Sequence, residues 1–514
     1  MDLGSAFAAS VVRQPRAEAI VDGERRRTYA AWYDEIRCVA GGLAQTGLRA
    51  GDHLVVVMRN RYEMATLYWA CHLLGLVFTP VSWRANADEI HYCLEDAEAQ
   101  AVAFDAAAGD SAPAAAAALA IDPQRVIAAA DGKGEGTTFE RLLQARPVAG
   151  PARLDENSIC LMLYTSGTTG RPKGVPRSHR NELAASIAHI AQNQYRRGDS
   201  CLGVMPFFHT MGVRLLLGAA LLNGRMVCLP HYAPEEVLRL LAQERVSTLF
   251  LVPTMFHDML RHPQFERCDL SALSRVGYAG MTMTPALIER CLERLKPQLF
   301  VNYYGSSEIY TFSYCDRLDR KPGCAGRAGM NQIIRVVAPD GDIAGDLPPG
   351  EAGEIIASMD SPEAFAGYWK RRDADAKAIA GRWYRTGDLG RFDEDGELYV
   401  IGRVDDMIIC GGENIFPEEV EDVLSRSPLV AACAVVGLPD ERLGSRVVAF
   451  VEPAVEDLAP AQLDDVCLNS ALARFKRPRE YVLVRSVPRS ASGKLLRRKL
   501  RTGDYERLGS GRSK

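Results

Sequence analysis

No C-x-x-C pair occurs among the thirteen cysteines, and their number is odd. A zinc ribbon needs that spacing and a disulfide framework needs even pairing, so neither is expected, and scattered thiols fit a reducing cytoplasm. No apolar run approaches the roughly 20 residues that cross a bilayer. The stretch from Met1 to Val12 holds Asp2 and no basic residue, so no secretory signal is expected. Charge of one sign is also missing. The formal net charge of -4 is too small to imply nucleic acid or an anionic membrane as a partner. No internal repeat is visible.

What remains is an ordinary globular composition, 47% hydrophobic and 25% charged, in a chain of 514 residues. That length allows more than one hydrophobic core. Tyr29, Trp32, Ile36, Val39 and Leu43 recur at three-four spacing and predict one face of a helix. Gly51 and Asp52 then turn the chain into an apolar strand over 53–58. The alternation continues with strands at 159–164, 226–229, 249–252 and 299–303 and helices at 213–222 and 285–295. It predicts an α/β fold: a large N-terminal domain with parallel-rich sheets flanked by helices. Ligands on such sheets sit beyond the carboxyl ends of the strands. The alanine-rich stretch 106–120 reads as a helix or a variable surface loop without function. After Gly402-Arg403-Val404-Asp405-Asp406 the pattern changes to a compact α+β unit of about 110 residues. Domains of 1–402 and 403–514 are expected, the second small and mobile.

Directly after the 159–164 strand comes Thr165-Ser166-Gly167-Thr168-Thr169-Gly170-Arg171-Pro172-Lys173-Gly174. Its glycines let backbone N–H groups approach a polyphosphate, its hydroxyls add neutral donors, and Lys173 adds positive charge. The order of residues does not match a Walker loop. A plain glycine-serine surface turn is the competing reading, disfavoured by the string's length and its place after a buried strand.

Thr165–Val175 resembles the signature loop of the adenylate-forming superfamily, which contains acyl-CoA synthetases, luciferases and nonribosomal adenylation domains. Four further segments match the family's motifs in the same order: 302–308, 383–388, 402–408 and 488–494. The resemblance therefore covers nearly the whole chain. It implies an ATP-dependent carboxylate–CoA ligase, an acid–thiol ligase that forms an acyl-AMP intermediate and then a thioester, with ATP, Mg²⁺ and coenzyme A as cofactors and co-substrates. It makes Glu308 the magnesium ligand, and Lys494, Glu308 and Lys173 the catalytic residues. Thr165, Ser166, Gly167, Thr168, Thr169 and Gly170 then face the phosphates, with Ser307 near the α-phosphate and Gly305 among the nucleotide contacts. Tyr304, Ala279 and Gly280 hold the adenine, and Asp388 and Arg403 the ribose. Asp405 becomes a hinge. Gly411, Gly412 and Glu413 line the pantetheine path, and Phe475, Arg477 and Arg479 meet the coenzyme A nucleotide. For Arg477 and Arg479 a solvated basic face competes with that role.

Met205–Gly212 occupies the place of the family's acyl pocket, so His209, Met211, Val252 and Tyr310 are its expected walls. The hinge stretch, the 475–479 segment and the 279–283 turn most resemble benzoate-type aryl-CoA ligases, the 4-chlorobenzoate ligases in particular, and imply an aromatic acid. Two departures stand out. Ala184-Ala185-Ser186-Ile187-Ala188 replaces a bulky aromatic, and Leu443 replaces a tryptophan. A short- or medium-chain or alicyclic acid is the alternative, as is a non-catalytic nucleotide-binding protein of the same fold. The small-molecule acid, ATP and CoA are the expected partners, with no nucleic acid and no membrane; a homodimer is compatible with the sequence.

Overall fold

Five helices open with proline in their first turn: Pro234–Gln243, Pro253–Arg261, Pro285–Leu295, Pro417–Ser425 and Pro460–Leu468. Proline lacks an N–H that would be unpaired there anyway, and its fixed φ suits the helix start. Other starts are capped by side chains. Ser178 Oγ accepts from the Asn181 N–H, and Asn181 Oδ1 accepts from the Ser178 N–H, opening His179–Gln192. The computed structural model describes residues 1–134, 136–165, 171–339, 343–411, 413–489 and 495–508, with Asn414 as backbone only.

These residues form four sheets. The largest runs Arg327–Ala328, Ser313–Cys315, Leu299–Tyr304, Arg275–Ala279, Thr248–Leu251, Ser200–Gly203, Arg225–Cys228, Glu18–Asp22, Arg25–Thr28. Its centre, from Leu299–Tyr304 to Glu18–Asp22, is parallel, and both edges are antiparallel. A second sheet is parallel except for its edge pair, Ile159–Thr165 with Lys173–Ser178. Strands such as His53–Val57, Ala101–Phe104 and Thr248–Leu251 are buried along their whole length, as crossover helices on both faces require. The third sheet is antiparallel and ends at Arg403; the fourth begins at Ile408.

The expected strands and helices lie within one or two residues of the observed ones, as Pro285–Leu295 and Leu299–Tyr304 show, except that the helix expected at 213–222 begins three residues earlier, at Thr210. The alanine-rich stretch is helical over Ala106–Ala108 and Ser111–Ala118. It is not a surface loop: Ala112, Ala115 and Ala116 are buried against Val55, Val57, Val102 and Phe104. Small side chains there let the helix lie close on the sheet. Among the described residues no helix is long and apolar enough to cross a membrane.

Candidate active site

Three adjacent parallel strands, Thr248–Leu251, Arg275–Ala279 and Leu299–Tyr304, end side by side. Ala279 pairs with Tyr303, and Gly280 follows with φ +86°, a left-handed backbone that glycine adopts without strain. Gly305 is required by space. A Cβ there would lie 2.1 Å from the Tyr310 carbonyl oxygen. That close approach folds 304–311 into a tight loop, with Ser306 N–H to Ile309 O at 3.0 Å and Phe312 N–H to Tyr304 O at 2.9 Å.

The loop carries Ser307 and turns Glu308 into the interior, 6% exposed. Its Oε1 accepts the Tyr368 hydroxyl at 2.6 Å, and that hydroxyl lies 3.3 Å from Tyr384 Oη. The Lys173 ammonium sits over the Tyr368 ring, 3.9 Å from its centre. Burial pulls the Lys173 ammonium below its ordinary value, while the Glu308 carboxylate acts the other way. Tyr368 thus meets a half-buried cation on its ring face and a buried carboxylate at its hydroxyl. No motif announced it.

A second group forms one strand pair away. Asp388 and Arg403 are register partners, and Arg403 Nη1 donates to Asp388 Oδ1 at 2.8 Å. Tyr304 donates to the other oxygen, Oδ2, at 2.7 Å. Tyr304, Asp388 and Arg403, named from three separate motifs, are one hydrogen-bonded unit.

Arg177 was missed by sequence reasoning. It is fully buried, donates to the carbonyls of Glu308 at 3.0 Å and Glu363 at 2.6 Å, with a longer 3.4 Å contact to that of Ser307, and pairs with Glu182 at 2.8 Å. It clamps the turn that carries Ser307 and Glu308. Its guanidinium stacks 3.9 Å from the Tyr310 ring centre, and Tyr310 belongs to the main buried core. The structure therefore places Tyr310 between Arg177 and the core, apart from Met211 and Val252. Those two share an apolar cluster with Met205, Phe250, Val301 and Tyr303, packed against Ala279. His209 precedes the Thr210–Leu221 helix, its ring 4.7 Å from that of Phe208.

Thr165 and Lys173 face each other across the antiparallel pair, while Ser166, Gly167, Thr168, Thr169 and Gly170 lie outside the described residues, as do Gly412 and Lys494. Asp405 is exposed within the turn Val404–Asp406. Beyond it, Arg497 donates to Asp406, Glu418 and Glu421, and Arg501 donates to Asp406. Gly411, φ +62°, donates its N–H to the Leu443 carbonyl at 2.9 Å, and Glu413 pairs with Cys410. Phe475 is 42% exposed, Arg479 is exposed, and Arg477 pairs with Asp464 at 2.8 Å.

A family model described as AMP-binding enzyme matches residues 7–369, and one described as AMP-binding enzyme C-terminal domain matches 419–494. The chain belongs to the AMP-binding enzyme family. It is thus an adenylate-forming enzyme of the acyl-CoA synthetase class, an AMP-forming acid–thiol ligase. A feruloyl-CoA synthase from Amycolatopsis sp is 33% identical over 493 residues, covering 95% of this chain and 96% of that protein. A 4-chlorobenzoate–CoA ligase from Arthrobacter sp is 33% identical over 501 residues, covering 96% and 93%. Among solved structures, ATP-bound MatB from Rhodopseudomonas palustris superposes with a TM-score of 0.88 at 26% identity, covering 98% of this chain and 99% of that one.

In this family the first step joins two anions, a carboxylate and the α-phosphate of ATP. Positioning and charge neutralisation are what the residues of such a site must supply.

Proposed function

We infer that this acyl-CoA synthetase acts on an aromatic, benzoate-like acid, with the residues above in the roles their motifs imply. Lys173 and the loop Thr165–Gly170 receive the phosphates, Ser307 lies at the α-phosphate with Gly305 among the nucleotide contacts, and Tyr304 with Ala279 and Gly280 takes the adenine. Asp388 takes the ribose with Arg403. Among the described residues only Oε1 of Glu308 has a side-chain donor, Tyr368, so a hard oxygen remains for Mg²⁺.

Residues 1–402 and 403–514 act as two bodies that turn about Asp405. One arrangement brings Lys494 to the phosphates. The other brings Gly411, Gly412 and Glu413 to the pantetheine arm, with Phe475, Arg477 and Arg479 near the nucleotide of coenzyme A. Arg477 must leave Asp464 for that contact. Thirteen unpaired cysteines support work in the reducing cytoplasm.

The observation that carries the aromatic reading is the cluster of Met211, Val252, Phe250 and Tyr303 against Ala279 at the strand ends. It offers flat apolar walls beside the adenine contacts, with His209 at its approach. Pyrophosphate release driven by a panel of benzoates, cinnamates and C4–C10 acids tests it. Benzoates or cinnamates should give the highest kcat/KM. A clear lead for C4–C10 acids would replace the aromatic reading with the aliphatic one, which the small residues at 184–188 also allow.

A further inference from the structure

Glu418 stands in the first turn of the Pro417–Ser425 helix, an ordinary place for an acid because the helix dipole favours negative charge there. Its carboxylate reaches back across the linker. A Cβ on Gly402 would lie 2.6 Å from Glu418 Oε2, so the missing side chain leaves room for that oxygen at the end of the third sheet. In the two-body reading Gly402 closes the first body and Glu418 belongs to the second, and the contact crosses the pivot. Oε2 is sealed from water and has no partner among the described residues, although the side chain as a whole keeps 31% of its exposure. An oxygen placed so is costly while it carries charge.

The charges around it do not balance. Arg497 Nη2 donates to Glu418 Oε1 at 2.9 Å and to Glu421 Oε2 at 2.8 Å, while Arg497 Nη1 donates to Asp406 Oδ2 at 3.2 Å. Arg501 adds a second cation, 2.9 Å from Asp406 Oδ1. Beside Gly402, Arg403 is committed to Asp388, and on the helix itself Glu419 is paired with Lys476. Three carboxylates thus share two guanidinia, and one proton closes the difference. Glu421 is not its seat, since it accepts the Val435 N–H at 2.7 Å as well as two contacts from Arg497. Asp406 has a guanidinium on each oxygen. Glu418 has one bond and one sealed oxygen. Burial pushes its carboxyl up to about 7 against the pull of Arg497, with Glu421 and Asp406 adding to the rise.

We propose that Glu418 is a positioning residue whose proton seats the second body on Gly402: protonated, it holds the seated arrangement, and ionised, it releases the body toward the other one. This rests on the two-body turning about Asp405 inferred above. Turning carries Glu418 off Gly402 and opens Oε2 to water, where the carboxyl returns toward its ordinary 4.5. The seated arrangement therefore binds more protons than the turned one between about pH 4.5 and 7. Its advantage is complete below that window and is lost as pH rises through 7. Each half-reaction needs one arrangement, so acid and base favour opposite steps.

The two half-reactions are followed separately on the full-length enzyme from about pH 5.5 to 8. One is pyrophosphate release without coenzyme A, the other thioester formation from supplied acyl-adenylate. Dividing each wild-type rate by that of Glu418→Gln, whose amide does not ionise, removes pH effects common to both proteins, the coenzyme A thiol included. The two quotients should move in opposite senses with pH, and their ratio should change by at least about threefold across the range. Quotients that move together, as a purely structural loss would make them, or a ratio that changes less, overturn the proposal. Should Glu418→Gln fail to melt cooperatively, Glu418→Asp replaces it. Its carboxyl stands one methylene back from Gly402, and the same opposed movement is expected. Asp405→Pro reads the turning by itself. If it slows both steps equally, turning and proposal fall together; unequal slowing beside a constant Glu418→Gln ratio overturns the role of Glu418 alone.

Discussion

Arg177 shows how one buried side chain can hold the turn that carries Ser307 and Glu308. Its Nε donates to Glu182, and its Nη1 to the carbonyls of Glu308 and Glu363 with a longer contact to that of Ser307. Removing one member of a buried pair strands the other charge, which typically costs about 3–5 kcal/mol. Arg177→Leu should lower unfolding stability by about that much in urea titrations. Arg177→Leu/Glu182→Leu should recover part of the loss, since no charge is then stranded. Recovery stays incomplete because the Ser307, Glu308 and Glu363 carbonyls still lack their donor. A double variant no more stable than the single would disprove the stranded-charge account. Lys494 carries a different prediction. Lys494→Ala should collapse adenylate formation yet leave thioester formation from supplied acyl-adenylate largely intact; adenylation surviving within about tenfold, roughly 1.4 kcal/mol of barrier, would remove its assigned role.

At the scale of elements, periodic apolar spacing marked the strands and helices because burial on sheet faces imposes it. Tyr29–Gln45 and Pro285–Leu295 are examples. Chemistry confined to one short run was equally legible: Glu308 stands within a motif, as do Asp388 and Arg403. Chemistry assembled from distant positions was not. Tyr368 meets Glu308 across sixty residues of chain, and Arg177 meets Glu363 across 186, with no local pattern to announce either. Tyr310, expected in the acyl wall, is held in the core by its stacking on Arg177. The turn Val404–Asp406 carries its own prediction. Asp405→Pro fixes one φ and should slow the coenzyme A step more than adenylation, measured as separate half-reactions. Equal effects on both steps would rule out a pivot at this residue.

For the molecule as a whole, four histidines are buried in separate or adjoining parts of the core. Burial is the leading cause that lowers His53 and His179 to about 4 and pushes His72 and His189 well down. Their folded values lie below the ordinary 6.5, so between those limits the unfolded chain binds protons that the folded chain refuses. Their contribution to stability is then complete above about pH 6.5 and is lost as pH falls toward 4. Thermal melts at pH 7.5 and 5.5 should show a lower Tm at 5.5, and His53→Gln should reduce that difference. A Tm unchanged across this span would show that these rings protonate in place.

The two ends of the short connector between the third and fourth sheets are anchored to opposite sides. Arg403 is tied to Asp388 in the strand behind it, while Asp406 is tied to Arg497 and Arg501 ahead. Any swivel that keeps both anchors must be absorbed in the few torsion angles between Arg403 and Asp406. For the two-body turning proposed above, so short an axle leaves little slack: it allows a wide sweep but scarcely any slide, and the stopping points are set by collision.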